Sequence, residues 1–288
     1  MNILVTGSNG QLGSELRRMV SHYTDFSFSF VDIDELDITD PNDVDHFFDD
    51  NDFDYCINCA AFTAVDKSEK EEETALNVNT NGVINIAKAC KRHSIVLIHI
   101  STDFVFDGKI HSPYLENDRP NPLNVYGDTK LKGEQGIKEI LQEYFIIRTS
   151  WLYSSFGNNF VKTMLRLGSE RESISVVDDQ IGTPTYAKDL AEIIMIILNK
   201  GFDKYGIYHF SNEGIGSWYD FAQSVFEYSN TKIELNPIST EEYPLPAVRP
   251  KYSVLAKGNI KSALGIKIPN WRESLKKCIL LLNERDKN

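Results

Sequence analysis

The 288-residue sequence predicts an α/β protein built on a doubly wound parallel sheet, with a smaller second domain towards the C-terminus. Three observations carry that expectation. Short apolar runs alternate with stretches of helical periodicity through the first half, the order that builds successive β-α-β units. One of those runs, Ile95-Val-Leu-Ile-His-Ile100, is too continuously apolar for a half-exposed strand and suits a parallel strand covered on both faces. After about Trp151 the regular alternation gives way to proline-containing loops, so the second half follows a different plan.

Asn2-Ile-Leu-Val-Thr6 reads as the first strand and runs into a glycine-rich turn. Leu12, Leu16, Met19, Val20 and Tyr23 then recur at helical spacing. Phe28 to Val31 is the second strand, and Asp40-Pro41 with Asp43 opens a short acidic helix over Val44, Phe47 and Phe48. Tyr55 to Asn58 is the next strand. A long helical stretch from Glu72 to His93 follows, with Ala75, Leu76, Val83, Ile86, Ala87 and Cys90 on its apolar side. A helix over Thr129 to Tyr144 and a strand at Phe145-Ile-Ile147 complete the regular half. A helical segment from Ala187 to Asn199 is expected to return to the main sheet, which makes the second domain discontinuous. Residues 1–150 with about 183–212 are assigned to the first domain, and about 151–182 with 213–288 to the second.

Composition narrows the function. A net charge of −12 argues against a nucleic-acid or anionic-membrane surface, either of which needs a basic face. No run reaches the length of a membrane span. The chain opens directly on an apolar strand, so a cytoplasmic protein is expected. Cys56 and Cys59 form a CxxC, but side chains three apart on a strand diverge, and no second pair follows at zinc spacing. With Cys90 and Cys278 they are read as reduced packing residues.

Gly7-Ser-Asn-Gly10-Gln11-Leu12-Gly13 lies between a strand and an amphipathic helix, the context that a dinucleotide fingerprint requires. Glycine there permits the tight turn and close approach of a pyrophosphate to the helix N-terminus. Together with the parallel strands this makes the fold Rossmann-type. Asp32 and Asp34 follow after about 20 residues, where an acidic side chain can bond the adenosine ribose. The segment Val31 to Asp54 has no Arg or Lys for a 2′-phosphate, which leans towards tolerance of NADH beside NADPH.

The chemistry is carried by Tyr126-Gly-Asp-Thr-Lys130. Tyrosine and lysine four apart on a helix share a face. A nearby ammonium is expected to lower the tyrosine pKa and make it a usable acid. Ser101-Thr102-Asp103 ends the buried strand after Ile100, where an α/β sheet places reactive groups, and the Thr102 hydroxyl can bond a ketone oxygen.

Glycine turn, Ser-Thr and YxxxK together resemble the extended short-chain dehydrogenase/reductases, and more narrowly the dTDP-4-dehydrorhamnose reductase family. The resemblance extends over nearly the whole chain. It rests on Thr6 to Gly13, Ala60 to Asp66, Ser101 to Gly108, Pro122 to Gly127, Arg148 to Trp151, Asn158 to Phe160, Asp179-Gln180, Gly182 to Thr185 and Arg249-Pro250. It implies reduction of the C4 ketone of a nucleotide-linked 4-keto-6-deoxy sugar, with NADPH or NADH as cofactor. It also implies Thr102, Tyr126 and Lys130 as the catalytic trio. Gly10, Gln11, Leu12, Asp32, Asp37, Ile38, Ala61, Phe62 and Thr63 would line the cofactor beside Gly7 and Gly13. Thr63, Val65, Thr102, Asp103 and Trp151 would face the sugar, with Arg249 as a candidate for the diphosphate. A homodimer is compatible with the resemblance. Some members are thought to hold Mg²⁺ at a dimer contact through a glutamate at the position of Glu15. Here the partnering segment reads Tyr186-Ala-Lys188-Asp189, whose lysine would repel a cation, so no metal is expected.

Two other readings compete. A dehydratase or epimerase shares the fold and the YxxxK, but a dehydratase carries an acidic pair after the threonine, and here Asp103 is followed by Phe104. An epimerase would carry tightly bound NAD through purification. The regulatory subunit of methionine adenosyltransferase resembles the same family and binds without turnover; a copurifying partner would mark that role.

Overall fold

A computed structural model describes residues 1–285. Six parallel strands form the central sheet: β1 (Asn2–Thr6), β2 (Ser27–Phe30), β3 (Tyr55–Asn58), β4 (Val96–Thr102), β5 (Tyr144–Thr149) and the edge strand Gly206–His209. Their spatial order is β2, β1, β3, β4, β5, then the edge strand. The order reverses between β1 and β3, and such a reversal opens a crevice at the carboxyl ends of the strands. Apolar clusters cover both faces of the sheet. Ile3, Val5, Ile57 and Ile98 point one way and Leu4, Cys56 and Leu97 the other, which is why these strands read as unbroken apolar runs. Cys56 and Cys59 accordingly lie on opposite faces, and all four cysteines are free thiols.

Local signals set the helices that frame the crevice. Helix Gln11–Met19 starts at Gly10 with no side-chain cap, so its first N–H groups face the crevice unclaimed. Helix Pro41–Asp49 starts where Asp40 accepts from the Asn42 N–H and Pro41 takes the first turn. The expected long helix from Glu72 is three pieces: Glu72–Leu76, a widened π turn over Asn77–Gly82, and Val83–His93. The helix expected over Thr129 to Tyr144 is Val125–Ile140, four residues upstream at both ends. Asn124 caps it by accepting from the Gly127 N–H at 2.8 Å, and β5 already begins at Tyr144. The shift places Tyr126 in the first turn.

The irregular half has its own core, where helices Phe160–Glu170, Trp218–Ser229 and Trp271–Arg285 bury Tyr153, Phe221 and Trp271 among them. Three two-stranded ladders brace it, among them Ile181–Gly182 against Gly216–Ser217. Helix Ala187–Lys200 leaves this group and packs Leu190, Ile194 and Leu198 on the sheet beside Ile3, Val5 and Ile98. Beneath the crevice, Arg148 of β5 grips Glu134 through Nε (2.9 Å) and Nη2 (2.6 Å), and Ser101 Oγ donates to the same carboxylate at 2.5 Å. No described helix is long and apolar enough to cross a membrane.

Candidate active site

A cleft of about 940 Å³ lies over the carboxyl ends of β1, β3, β4 and β5. Gly7 opens it with φ +63°, and a Cβ there would stand 2.5 Å from the Ala60 backbone nitrogen, so no other residue fits without displacing the next strand's loop. Gly10, Gln11 and Leu12 continue the wall. Gly13 does not reach the cleft: it lets the helix press on the turn, its missing Cβ lying 2.5 Å from Ser8 Cα. Asp32 lines the far end and ties the turn to β2, accepting from Asn9 N at 2.8 Å and Ile33 N at 2.9 Å. A cation does stand by this turn, supplied by helix Gln11–Met19 and not by the segment after β2: Arg17 Nη2 donates to Ser8 Oγ at 2.9 Å and its guanidinium lies over the Phe30 ring. Asp37, Ile38, Ala61, Phe62 and Thr63 complete this part of the lining.

Thr102, Asp103, Tyr126, Lys130 and Trp151 converge in the same cleft. Thr102 Oγ1 donates to Asp103 Oδ1 at 3.1 Å and accepts from Phe104 N at 3.2 Å. Burial pushes the Asp103 carboxyl up to about 7. Tyr126 is not lowered, contrary to the sequence expectation. Burial pushes its phenol up to about 12, reinforced by the Asp103 charge and offset in part by a hydrogen bond with Thr102. The lysine of the pair is turned towards β4. Lys130 Nζ donates to the Ile100 carbonyl at 2.7 Å and meets His99 Nε2 at 3.2 Å, and burial lowers it to about 8.

Trp151 sits at φ +45° and stacks on Trp218, ring centroids 3.8 Å apart. Gly182 makes room for that indole, since a Cβ there would lie 2.6 Å from its ring. Trp218 in turn lines a second cavity of about 590 Å³, bounded also by Phe160, Met164, Tyr243 and Arg249. The stacked pair is therefore the wall between the two spaces. Val65 and Arg249 stand off the first cleft. Arg249 holds Asp66 with both nitrogens of its fork, at 3.0 and 2.6 Å. Sequence reasoning passed over Asn58, His99, Asn79 and Trp218. Of these only Trp218 left a signal, in the Gly216-Ser-Trp218 segment that interrupts the periodicity.

The family model described as the RmlD substrate binding domain matches residues 1–283. A protein of Aggregatibacter actinomycetemcomitans named dTDP-4-dehydrorhamnose reductase is 41% identical, covering 95% of this chain and 97% of its own. The chain belongs to the dTDP-4-dehydrorhamnose reductase family. Two solved structures of that family, from Clostridium acetobutylicum and from Bacillus anthracis in complex with NADP, are each 42% identical. They superpose with TM-scores of 0.95 and 0.93, covering 98% and 97% of this chain and 100% and 99% of theirs. Family members thus share the cleft's whole scaffold, and the residues that meet in it here fit a dinucleotide. The glycine turn leaves space for a pyrophosphate beside free helix N–H groups, and two buried oxygens lack hydrogen-bond partners: Thr149 Oγ1, on a residue lining the cleft, and Asp103 Oδ2.

Proposed function

We propose that this chain reduces the C4 keto group of dTDP-4-dehydro-6-deoxy-L-mannose to give dTDP-L-rhamnose, using NADPH or NADH in the cytoplasm. The observation that carries the reading is the convergence of Thr102, Asp103, Tyr126 and Lys130 beside the glycine turn in a chain of this family. Gly7, Gly10, Gln11, Leu12, Asp32, Asp37, Ile38, Ala61, Phe62 and Thr63 would hold the dinucleotide. Bound and reduced, it supplies the hydride. Thr63, Thr102, Asp103 and Trp151 would face the sugar, and the second cavity, behind the Trp151–Trp218 wall, would take the nucleotide.

Tyr126 would act as the acid: it is a neutral phenol at physiological pH, with a proton to give to the alkoxide that forms at C4, and bound cofactor and substrate would have to offset the burial that raises its pKa. Thr102 holds the ketone oxygen next to that phenol. Lys130 lines the cleft yet is buried at 1% exposure, with Nζ anchored on the Ile100 carbonyl and beside His99. Phe104 packs edge-on to Tyr126 at 5.8 Å, an apolar ring where a dehydratase needs its second acid, which favours simple reduction.

Mixing purified protein, reduced nicotinamide and the keto-sugar generated in place tests the reading through loss of nicotinamide absorbance. Wild type should turn over, and Tyr126→Phe should lose about 10²–10⁴-fold in kcat. Cofactor binding without oxidation on this or any related keto-sugar would overturn it in favour of a binding subunit.

A further inference from the structure

Three residues other than glycine hold a positive φ among the described residues: Ser94, Asn230 and Trp151. Ser94 and Asn230 each end a helix, where a left-handed residue is routine. Trp151 follows the end of β5 and has no such local reason for its +45°. A bulky side chain keeps that angle only where the surroundings over-determine it. Three contacts do so. The Thr185 N–H donates to the Trp151 carbonyl at 3.1 Å. Gly182 lies against the indole, where a Cβ would stand 2.6 Å from the ring. Trp218 stacks on it, ring centroids 3.8 Å apart and planes within 12°. The last two arrive together. Gly182 pairs with Gly216 in the short antiparallel ladder, and Trp218 follows that ladder as the first residue of its helix. Ser217 and Asp220 cap the helix reciprocally, and Phe160 packs on Trp218 at 4.8 Å, so Trp218 is itself held in place.

Trp151 lines the cleft with Thr102, Asp103 and Tyr126, whereas Trp218 lines the second cavity and not the cleft. We infer that Trp218 is a positioning residue: from the second cavity it holds the Trp151 indole in the wall of the cleft that contains Thr102 and Tyr126. Without the stack, the backbone at Trp151 is free to relax to negative φ, a rotation that carries the indole out of that wall. A sugar lying against the indole then loses its orientation towards the reacting groups, and lost orientation lowers kcat. A residue that merely bounded the second cavity would instead change KM. The catalytic consequence rests on the reductase reading above, but the hold on Trp151 does not.

Circular dichroism and tryptophan emission of the full chain test the hold without turnover. Wild type should show the far-ultraviolet couplet of two stacked indoles, and Trp218→Phe and Trp218→Leu should both lose it. Phenylalanine still lays a flat ring on Trp151; leucine does not. Trp271 is fully buried, so the solvent-sensitive emission of either variant belongs to Trp151. That emission should shift to the red and yield to acrylamide quenching in Trp218→Leu relative to Trp218→Phe. With the keto-sugar, Trp218→Leu should lose at least about tenfold in kcat while KM for the nicotinamide stays level, and Trp218→Phe should restore most of the rate. A wild type without the couplet overturns the inference, as does identical Trp151 emission in the two variants or a leucine defect confined to KM. Should Trp218→Leu fail to fold, Gly182→Ala decides: it keeps Trp218 but sets a methyl against the Trp151 indole, and should weaken the couplet and lower kcat together. An unchanged couplet and rate there would also sink the inference. The expected spectra beside a failed reductase assay would overturn the function and leave the hold on Trp151 standing.

Discussion

Asp103 is 2% exposed, and its carboxyl sits up at about 7 because the site desolvates its charge. The sign of the linked stability follows. An unfolded chain loses this proton near the ordinary 3.8, whereas the native protein keeps it to about 7. The cost of burying the ionised form is absent below the lower value, grows through the window, and is full above the upper one. Asp103→Asn removes that cost. Its stability relative to wild type should improve between pH 4 and pH 8 by up to about 4 kcal/mol, read from denaturant midpoints at both pH values. Parallel curves for the two proteins would contradict the assignment. Tyr126 and Lys130 were legible in the sequence because four-residue spacing fixes a shared helix face. The tyrosine's proton affinity was not legible. It depends first on burial in the folded site, while Nζ is held by the Ile100 carbonyl and His99 on another strand.

Helix Val125–Ile140 carries both residues and is locked to the π turn Asn77–Gly82 that faces it. Asn79 accepts from Phe62 N at 2.9 Å and donates to Phe62 O at 3.1 Å and Thr129 Oγ1 at 3.2 Å. One side chain therefore ties the tyrosine–lysine helix to the Ala61–Thr63 wall of the cleft. Gly133 lets the two elements approach, since a Cβ there would stand 2.3 Å from the Asn79 carbonyl. Gly133→Ala should cost about 1–3 kcal/mol and raise the KM for nicotinamide cofactor as Phe62 shifts. A variant of wild-type stability and KM would show that the approach is slack. The sequence placed this helix four residues late because its first turn, Val125-Tyr-Gly-Asp128, has no apolar period, and the start lies in the Asn124 cap. The π turn left no sequence signal, because its widening answers the partner helix and not its own residues.

The longest-range contact at the site joins chain segments 183 residues apart. Arg249 grips Asp66 with both fork nitrogens while the Ala247 N–H donates to the same carboxylate at 3.2 Å, and Asn124, the cap of the tyrosine helix, donates to the Val248 carbonyl at 2.8 Å. No periodicity or spacing reveals such a pair, whereas the alternation of buried strands made the parallel sheet itself readable. The grip holds the 247–249 segment, at the edge of the second cavity, against the short helix Val65–Ser68 that follows Thr63. Two roles for Arg249 make opposite forecasts. As a direct ligand of the diphosphate it would be freed by Asp66→Ala, and substrate KM would stay level or fall. As the outer half of a clasp it works only with Asp66, and either alanine variant should raise substrate KM by roughly tenfold, about 1.4 kcal/mol, with little change in kcat. The geometry favours the clasp, because the guanidinium is already committed. Arg249→Lys should then fail to restore KM, for an ammonium cannot reproduce the two-pronged contact. Exchanging the two residues, Asp66→Arg with Arg249→Asp, should recover part of the loss. Steady-state kinetics on the four variants decide between the roles, and a normal KM in Asp66→Ala would return Arg249 to the phosphates.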